Sequence, residues 1–101
     1  MAKIGSIERN NKRIKLVKSM AIKRAKLKEQ IHNKNTSLED RFRLVTILAS
    51  LPRNGAKTRV RNRCILTGRP RGYCRKMGLS RNMLRDLAAV GQLPGVIKAS
   101  W

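Results

Sequence analysis

The sequence predicts a mainly α-helical, extended chain. Two basic N-terminal helices lead through an arginine-rich extended linker into a small C-terminal hairpin or knuckle, then a short helix and a tail. Three observations predict it. Apolar residues recur at three-and-four spacing in three separate stretches. Between the second and third stretches lies a run with five cations and no acid. Glycine, proline and two cysteines punctuate the segment after that run. The 101 residues divide accordingly into a basic helical region, 1–52, a linker, 53–63, and a knuckle with helix and tail, 64–101.

The first helix is expected over 6–31. Ile7, Ile14, Val17, Met20, Ala21, Ala25, Leu27 and Ile31 keep the apolar spacing, and lysine and arginine cover the rest. Glu8 and Glu29 are its acids. Like charges three and four apart each cost an isolated helix about 0.2–0.5 kcal/mol, so the helix should be firm only with an anion along it. Residues 32–36 form a polar break, and its His32 reads as a solvent or RNA contact rather than a metal ligand. Ser37-Leu38-Glu39-Asp40 then matches a capping pattern. It opens a second helix with Leu38, Phe42, Val45, Leu48 and Ala49 as the apolar set, ended by Pro52.

Residues 53–63 have no apolar periodicity and cannot offset their ordering entropy by burial, so alone they should be disordered. An extended backbone would put Arg59, Arg61 and Arg63 on one side. Cys64-Ile65-Leu66, a turn near 67–72 and Tyr73-Cys74-Arg75 then suit a tight hairpin. Ser80 can cap a third helix carrying Met83, Leu84, Leu87, Ala88 and Val90, and Gly91 can stop it. The terminal Trp101 is large enough to anchor the tail by packing.

Charge bounds the function. Lysine and arginine number 25 against 5 acids, a formal net charge of +20. So much uncompensated charge opposes compaction unless a polyanion neutralises it, and nucleic acid is the leading candidate. Aromatic residues make up 3 %, which argues against ring stacking of many bases. The chain lacks a run of 18 apolar residues and an apolar leader at its start, so no membrane span and no secretory route are expected. Two cysteines in that context point to free thiols in the cytoplasm or an organelle matrix.

No enzyme is read from this chain. The adjacent Glu39 and Asp40 fit helix capping better than paired acid–base chemistry, and Ser, His and Cys form no recognisable nucleophile set. Zinc needs four ligands, usually in two closely spaced pairs. Three residues after Cys64 stands Thr67, Cys74 lies ten residues on, and Ser80 and Met83 stand where a second pair would fall. The cysteines therefore read as small, partly buried apolar residues, with no cofactor.

The strings RNRCILTGRPRGYCRKMGLSRNMLRDLA and GQLPGVIKASW make the chain similar to the small-subunit ribosomal protein S-fourteen family of bacterial and organellar ribosomes. The resemblance is strong over 53–101 and reaches the N-terminal half through length, the basic helix and LPR at 51–53. A shorter form of that family carries a zinc knuckle; a longer form has dispensed with the metal. On the knuckle, the four ligand positions fall at Cys64, Thr67, Ser80 and Met83, so the resemblance implies a zinc-ribbon-like knuckle without metal. Ile65, Leu66, Tyr73, Leu79, Met83 and Leu87 are expected to hold it by packing.

The resemblance further implies a structural constituent of the small ribosomal subunit, in a cytoplasmic, mitochondrial or plastid ribosome. It implies binding of 16S rRNA in the subunit head beside neighbouring head proteins, with roles in assembly and in rRNA conformation near the A site. No membrane and no small-molecule substrate are implied. The expected RNA contacts are Arg53, Lys57, Arg59, Arg61, Arg63, Arg69, Arg71, Arg75, Lys76 and Arg81, with Gly68 and Gly72 permitting close backbone approach. Read from the residues alone, a DNA-binding architectural or regulatory protein is the alternative; a basic amphipathic factor for membranes would leave the knuckle unexplained.

Overall fold

A computed structural model describes residues 2–100. It contains three α-helices: α1, Ile4–His32; α2, Leu38–Ser50; and α3, Arg81–Ala89. Two short antiparallel strands, β1 (Tyr73–Cys74) and β2 (Leu79–Ser80), pair as Tyr73 with Ser80 and Cys74 with Leu79. The chain divides into two compact units. One comprises residues 9–60. The other comprises residues 1–8 and 61–101.

In the unit of residues 9–60, the local signals place α2. The Ser37 hydroxyl accepts from the Asp40 amide at 3.2 Å and donates to the Asp40 carboxylate at 2.7 Å. Such a cap is worth about 1 kcal/mol. The buried face of α2 differs from the periodicity reading. Arg41, Leu44 and Leu48 are half-buried, and Leu51 beyond the helix end joins them, whereas Leu38, Phe42, Val45 and Ala49 are exposed. Both sets have helical spacing, so period alone could not choose between them. On α1, Leu27 is buried and Ile14, Val17, Met20 and Ile31 are half-buried, but Ala21 and Ala25 are exposed.

The start of the expected extended linker is not extended. Residues Arg53–Gly55 and Lys57–Arg59 form two 3-10 turns. Pro52 opens the first, and the Gly55 amide donates to the Pro52 carbonyl at 3.0 Å. Gly55 is buried, and a Cβ there would meet Met20 Cγ at 3.4 Å. The Arg24 guanidinium donates to the Pro52 carbonyl at 2.8 Å. Packing against α1 thus supplies the ordering that the run lacks in its own sequence.

In the other unit, the hairpin pairs differently from the expected one. Residues 64–66 do not pair with 73–75. They enter a tight turn in which the Gly68 amide donates to the Cys64 carbonyl at 2.8 Å and the Cys64 amide to the Arg69 carbonyl at 3.0 Å. The Ile65 amide reaches the Gly78 carbonyl at 3.1 Å, which lays this turn across the β1–β2 hairpin. Gly68 and Gly78 both have φ of 68°, the left-handed region that glycine enters without penalty. The core is small: Cys64, Leu79 and Ser80 are buried along with these two glycines. Tyr73, Met83 and Leu87 are half-buried, but Ile65 and Leu66 are 77 % and 57 % exposed, so neither fills the knuckle as expected.

Ser80 caps α3, its hydroxyl accepting from the Met83 amide at 3.5 Å. At the other end Gln92 N–H donates to the Leu87 carbonyl and Gly91 N–H to the Ala88 carbonyl. With Gly91 at φ 76° this is a Schellman stop, where the sequence placed it. The anchoring expected of Trp101 lies outside the described residues. Among the described residues, no helix is long and apolar enough to cross a membrane.

Candidate nucleic-acid interface

The predicted contact residues divide between the two units. Arg53, Lys57 and Arg59 lie on the 3-10 turns of the first unit, all exposed. Arg61, Arg63, Arg69, Arg71, Arg75, Lys76 and Arg81 lie in the second. The alternating row of Arg59, Arg61 and Arg63 does not form as expected, because Arg59 sits in a turn and Arg63 is turned inward. The half-buried Arg63 donates to the Gly68 carbonyl at 2.9 Å. It braces the Cys64–Gly68 turn rather than facing outward.

Arg69 and Arg71 flank Pro70 on the rim of a cleft of about 490 Å³. Ala2, Thr67, Ser80, Asn82 and Met83 complete its lining. Arg75 and Lys76 are exposed in the bend between the strands, and Arg81 is exposed at the start of α3. The two glycines serve different purposes. Gly72 is exposed at φ 60°, and its carbonyl accepts from the Arg81 amide at 2.7 Å. Gly68 is buried: a Cβ there would lie 2.5 Å from Ile7 Cδ1. The close approach that Gly68 permits is by Ile7 of its own chain, not by a ligand.

Sequence reasoning missed a second basic cleft. Arg24, Lys28 and Lys57 line a groove of about 320 Å³ in the first unit, floored by Val17, Ala21 and Ala56. The four-residue spacing of Arg24 and Lys28 was visible; that Lys57 would line the same groove was not, because it depends on the 3-10 turns. Asn82 was also missed. It carries no charge, so no compositional signal marks it, yet it offers the Arg69–Arg71 cleft a donor and an acceptor.

At the knuckle, Cys64 is 3 % exposed and its thiol is a free cysteine. Burial raises its pKa, but the polar groups of Thr67, Ser80 and Leu66 around it outweigh burial and lower it from 9.0 to about 6. Polar groups around this buried sulfur make a cradle that favours the thiolate. The folded pKa lies below the unfolded one, so this group contributes stability above about pH 9 that is lost progressively as pH falls through about 6. In a Cys74→Ser chain, thiolate absorbance near 240 nm should titrate with a midpoint close to pH 6; a midpoint near the ordinary thiol value refutes the cradle.

The residues present do not suit a zinc ion. Of Cys64, Thr67, Ser80 and Met83, only Cys64 carries a thiol, and the Ser80 hydroxyl is engaged by the Met83 amide. Among the described residues, no group of three or more His, Cys, Asp or Glu converges.

Comparison with known proteins adds lineage to this geometry. A family profile described as ribosomal protein S14p/S29e matches residues 47–100. Over all 101 residues the chain is 57 % identical to the small ribosomal subunit protein uS14 of Rickettsia felis and 59 % identical to that of Rickettsia bellii. Each alignment covers the whole of both chains.

Proposed function

The chain belongs to the ribosomal protein S14p/S29e family, and from that premise we propose how its surfaces serve the small ribosomal subunit. It is a structural constituent of that subunit rather than an enzyme, similar over its whole length to bacterial uS14 proteins, and it works in the ribosome. It binds 16S rRNA and adjoins other small-subunit proteins; we place it in the head, shaping rRNA near the A site.

The observation that carries the RNA reading is the Arg69–Pro70–Arg71 rim over a cleft that also presents Asn82. Arginine forks match phosphate oxygens in two-point contacts, and an unstacked nucleotide fits a concave site better than a duplex does. Arg75, Lys76 and Arg81 extend the cationic surface in the same unit, and Arg53, Lys57 and Arg59 serve the other. Arg61 completes the set. Arg63 acts indirectly, through the turn it braces. Gly72 lets backbone approach RNA, whereas Gly68 is absorbed by internal packing.

The 64–83 segment is, in this reading, a zinc-ribbon-like knuckle that holds its shape without metal. What supports it is the backbone bonding of the turn, with Cys64 N–H to the Arg69 carbonyl, Gly68 N–H to the Cys64 carbonyl and Ile65 N–H to the Gly78 carbonyl, around the buried Cys64 and Ser80. Elemental analysis of the purified chain should find no stoichiometric zinc, and one zinc per chain overturns this account of the knuckle.

The functional test is sedimentation. A tagged chain should travel with small subunits on a sucrose gradient at about 200 mM salt, where isolated phosphate contacts are already weakened. Recovery with chromosomal DNA or with membranes instead refutes the assignment.

A further inference from the structure

The exposed face of α2 carries a continuous apolar stripe. Leu38, Phe42 and Val45 are 81 %, 74 % and 46 % exposed, and with Ala49 they follow one another at spacings of four, three and four. At about 100° per residue these four fall within an arc of about 60° and make a stripe ~16 Å long. Phe42 is the sole phenylalanine of the sequence. A stripe of this kind, displayed to solvent, marks an interaction surface.

Charge selects the occupant. The sector running from Val45 through Leu38, Ala49 and Phe42 to Thr46 and Glu39 spans about 120° of the helix without a cation. Lysine and arginine make up 25 of the 101 residues, and none of them falls in this sector. The arginines of α2 are directed elsewhere: Arg41 donates to the Asn33 carbonyl at 3.0 Å, and Arg43 lies 3.9 Å from the Asp40 carboxylate. RNA presents phosphate, which gains nothing from an aliphatic stripe and is repelled by Glu39. A protein partner gains by burying the stripe. Proteins that share an RNA scaffold carry excess positive charge for the same reason this one does, which complements Glu39.

We propose that the Leu38–Phe42–Val45–Ala49 stripe of α2 docks a neighbouring protein of the same subunit, one presenting an apolar patch with a basic rim. This rests on the chain being a small-subunit protein and adds which surface meets protein rather than RNA. Phe42 and Leu38 are the anchors, and Glu39 sets the orientation of the partner's cations.

The test uses assembled small subunits carrying the chain with a benzophenone amino acid at position 42. Irradiation should join position 42 to a peptide from a different small-subunit protein, with lysine or arginine flanking the site. An adduct with rRNA or with a second copy of this chain overturns the inference, as does absence of any adduct in subunits that contain the chain. Failure of the chain to enter small subunits at all overturns the functional reading and this inference together. A second arm uses Leu38→Ser with Phe42→Ser, exposed positions whose change leaves the packed face of α2 intact. Occupancy in subunits under competition with the unaltered chain should fall about tenfold or more, while affinity of the free chain for rRNA changes less than about twofold. Equal losses of occupancy and RNA affinity overturn the proposal.

Discussion

Replacing Arg69, Arg71, Arg75 and Lys76 together by glutamine should weaken binding to small-subunit rRNA by about 10²–10³ near physiological salt, with the fold retained. These side chains are exposed or half-buried, and the backbone groups between them that hold the hairpin are untouched by the change: Cys64 N–H still meets the Arg69 carbonyl, and Gly78 N–H the Cys74 carbonyl. Each phosphate contact releases bound counterions, so the slope of log affinity against log salt should flatten by about one per contact, or about three to four in all. Titration at several salt concentrations reads that slope. Unchanged slope with unchanged affinity means the four cations are merely solvated. Arg63→Gln supplies the contrast, since its guanidinium is bound to the Gly68 carbonyl and its loss should soften the turn without changing the slope in the same way.

The second large effect belongs to Gly68. Gly68→Val should unfold the 64–83 knuckle or leave it barely stable. Two costs add. The backbone stands at φ 68°, where a side chain costs about 1–2 kcal/mol. The space is also taken: a Cβ would meet Ile7 Cδ1 at 2.5 Å, Ile7 Cγ1 at 2.8 Å and Ala2 Cβ at 3.2 Å, and forcing bulk into a packed site costs about 1–3 kcal/mol more. A core built on little more than Cys64, Leu79 and Ser80 has little margin to absorb that. Gly91 separates the two costs. It has φ 76° but nothing within 4 Å of its would-be Cβ. Amide exchange across residues 64–80 should therefore accelerate far more in Gly68→Ala than in Gly91→Ala. Equal effects from the two would show that Ile7 yields freely and that crowding at Gly68 carries no energy.

Much of the fold could be read from neighbouring residues. Ser37 and Ser80 mark helix starts, Gly91 marks a stop and Pro52 marks an end, because each signal acts within one turn of backbone. The faces could not be read. Leu38, Phe42, Val45 and Ala49 repeat as regularly as Leu44, Leu48 and Leu51, so α2 has two candidate stripes and only the surrounding chain selects the inner one. The hairpin shows the same limit. Residues 64–66 are as apolar as a strand should be, but Ile65 pairs with Gly78 rather than with the 73–75 segment. The residue types of the proposed RNA-facing surface stand in the sequence; the internal duties of single cations do not. Arg63 and Arg24 look like any other cation in the chain, yet each is bound to a carbonyl, of Gly68 and of Pro52.

The amino-acid order by itself determined the +20 charge, the helix ends and the scarcity of metal ligands. Composition and short-range hydrogen bonding decide those. Tertiary structure alone decided which stripe of α2 turns inward, which arginines become internal braces, and that Gly68 makes room for Ile7. Those outcomes depend on atoms far apart along the chain, and packing compares them only once the chain has closed on itself.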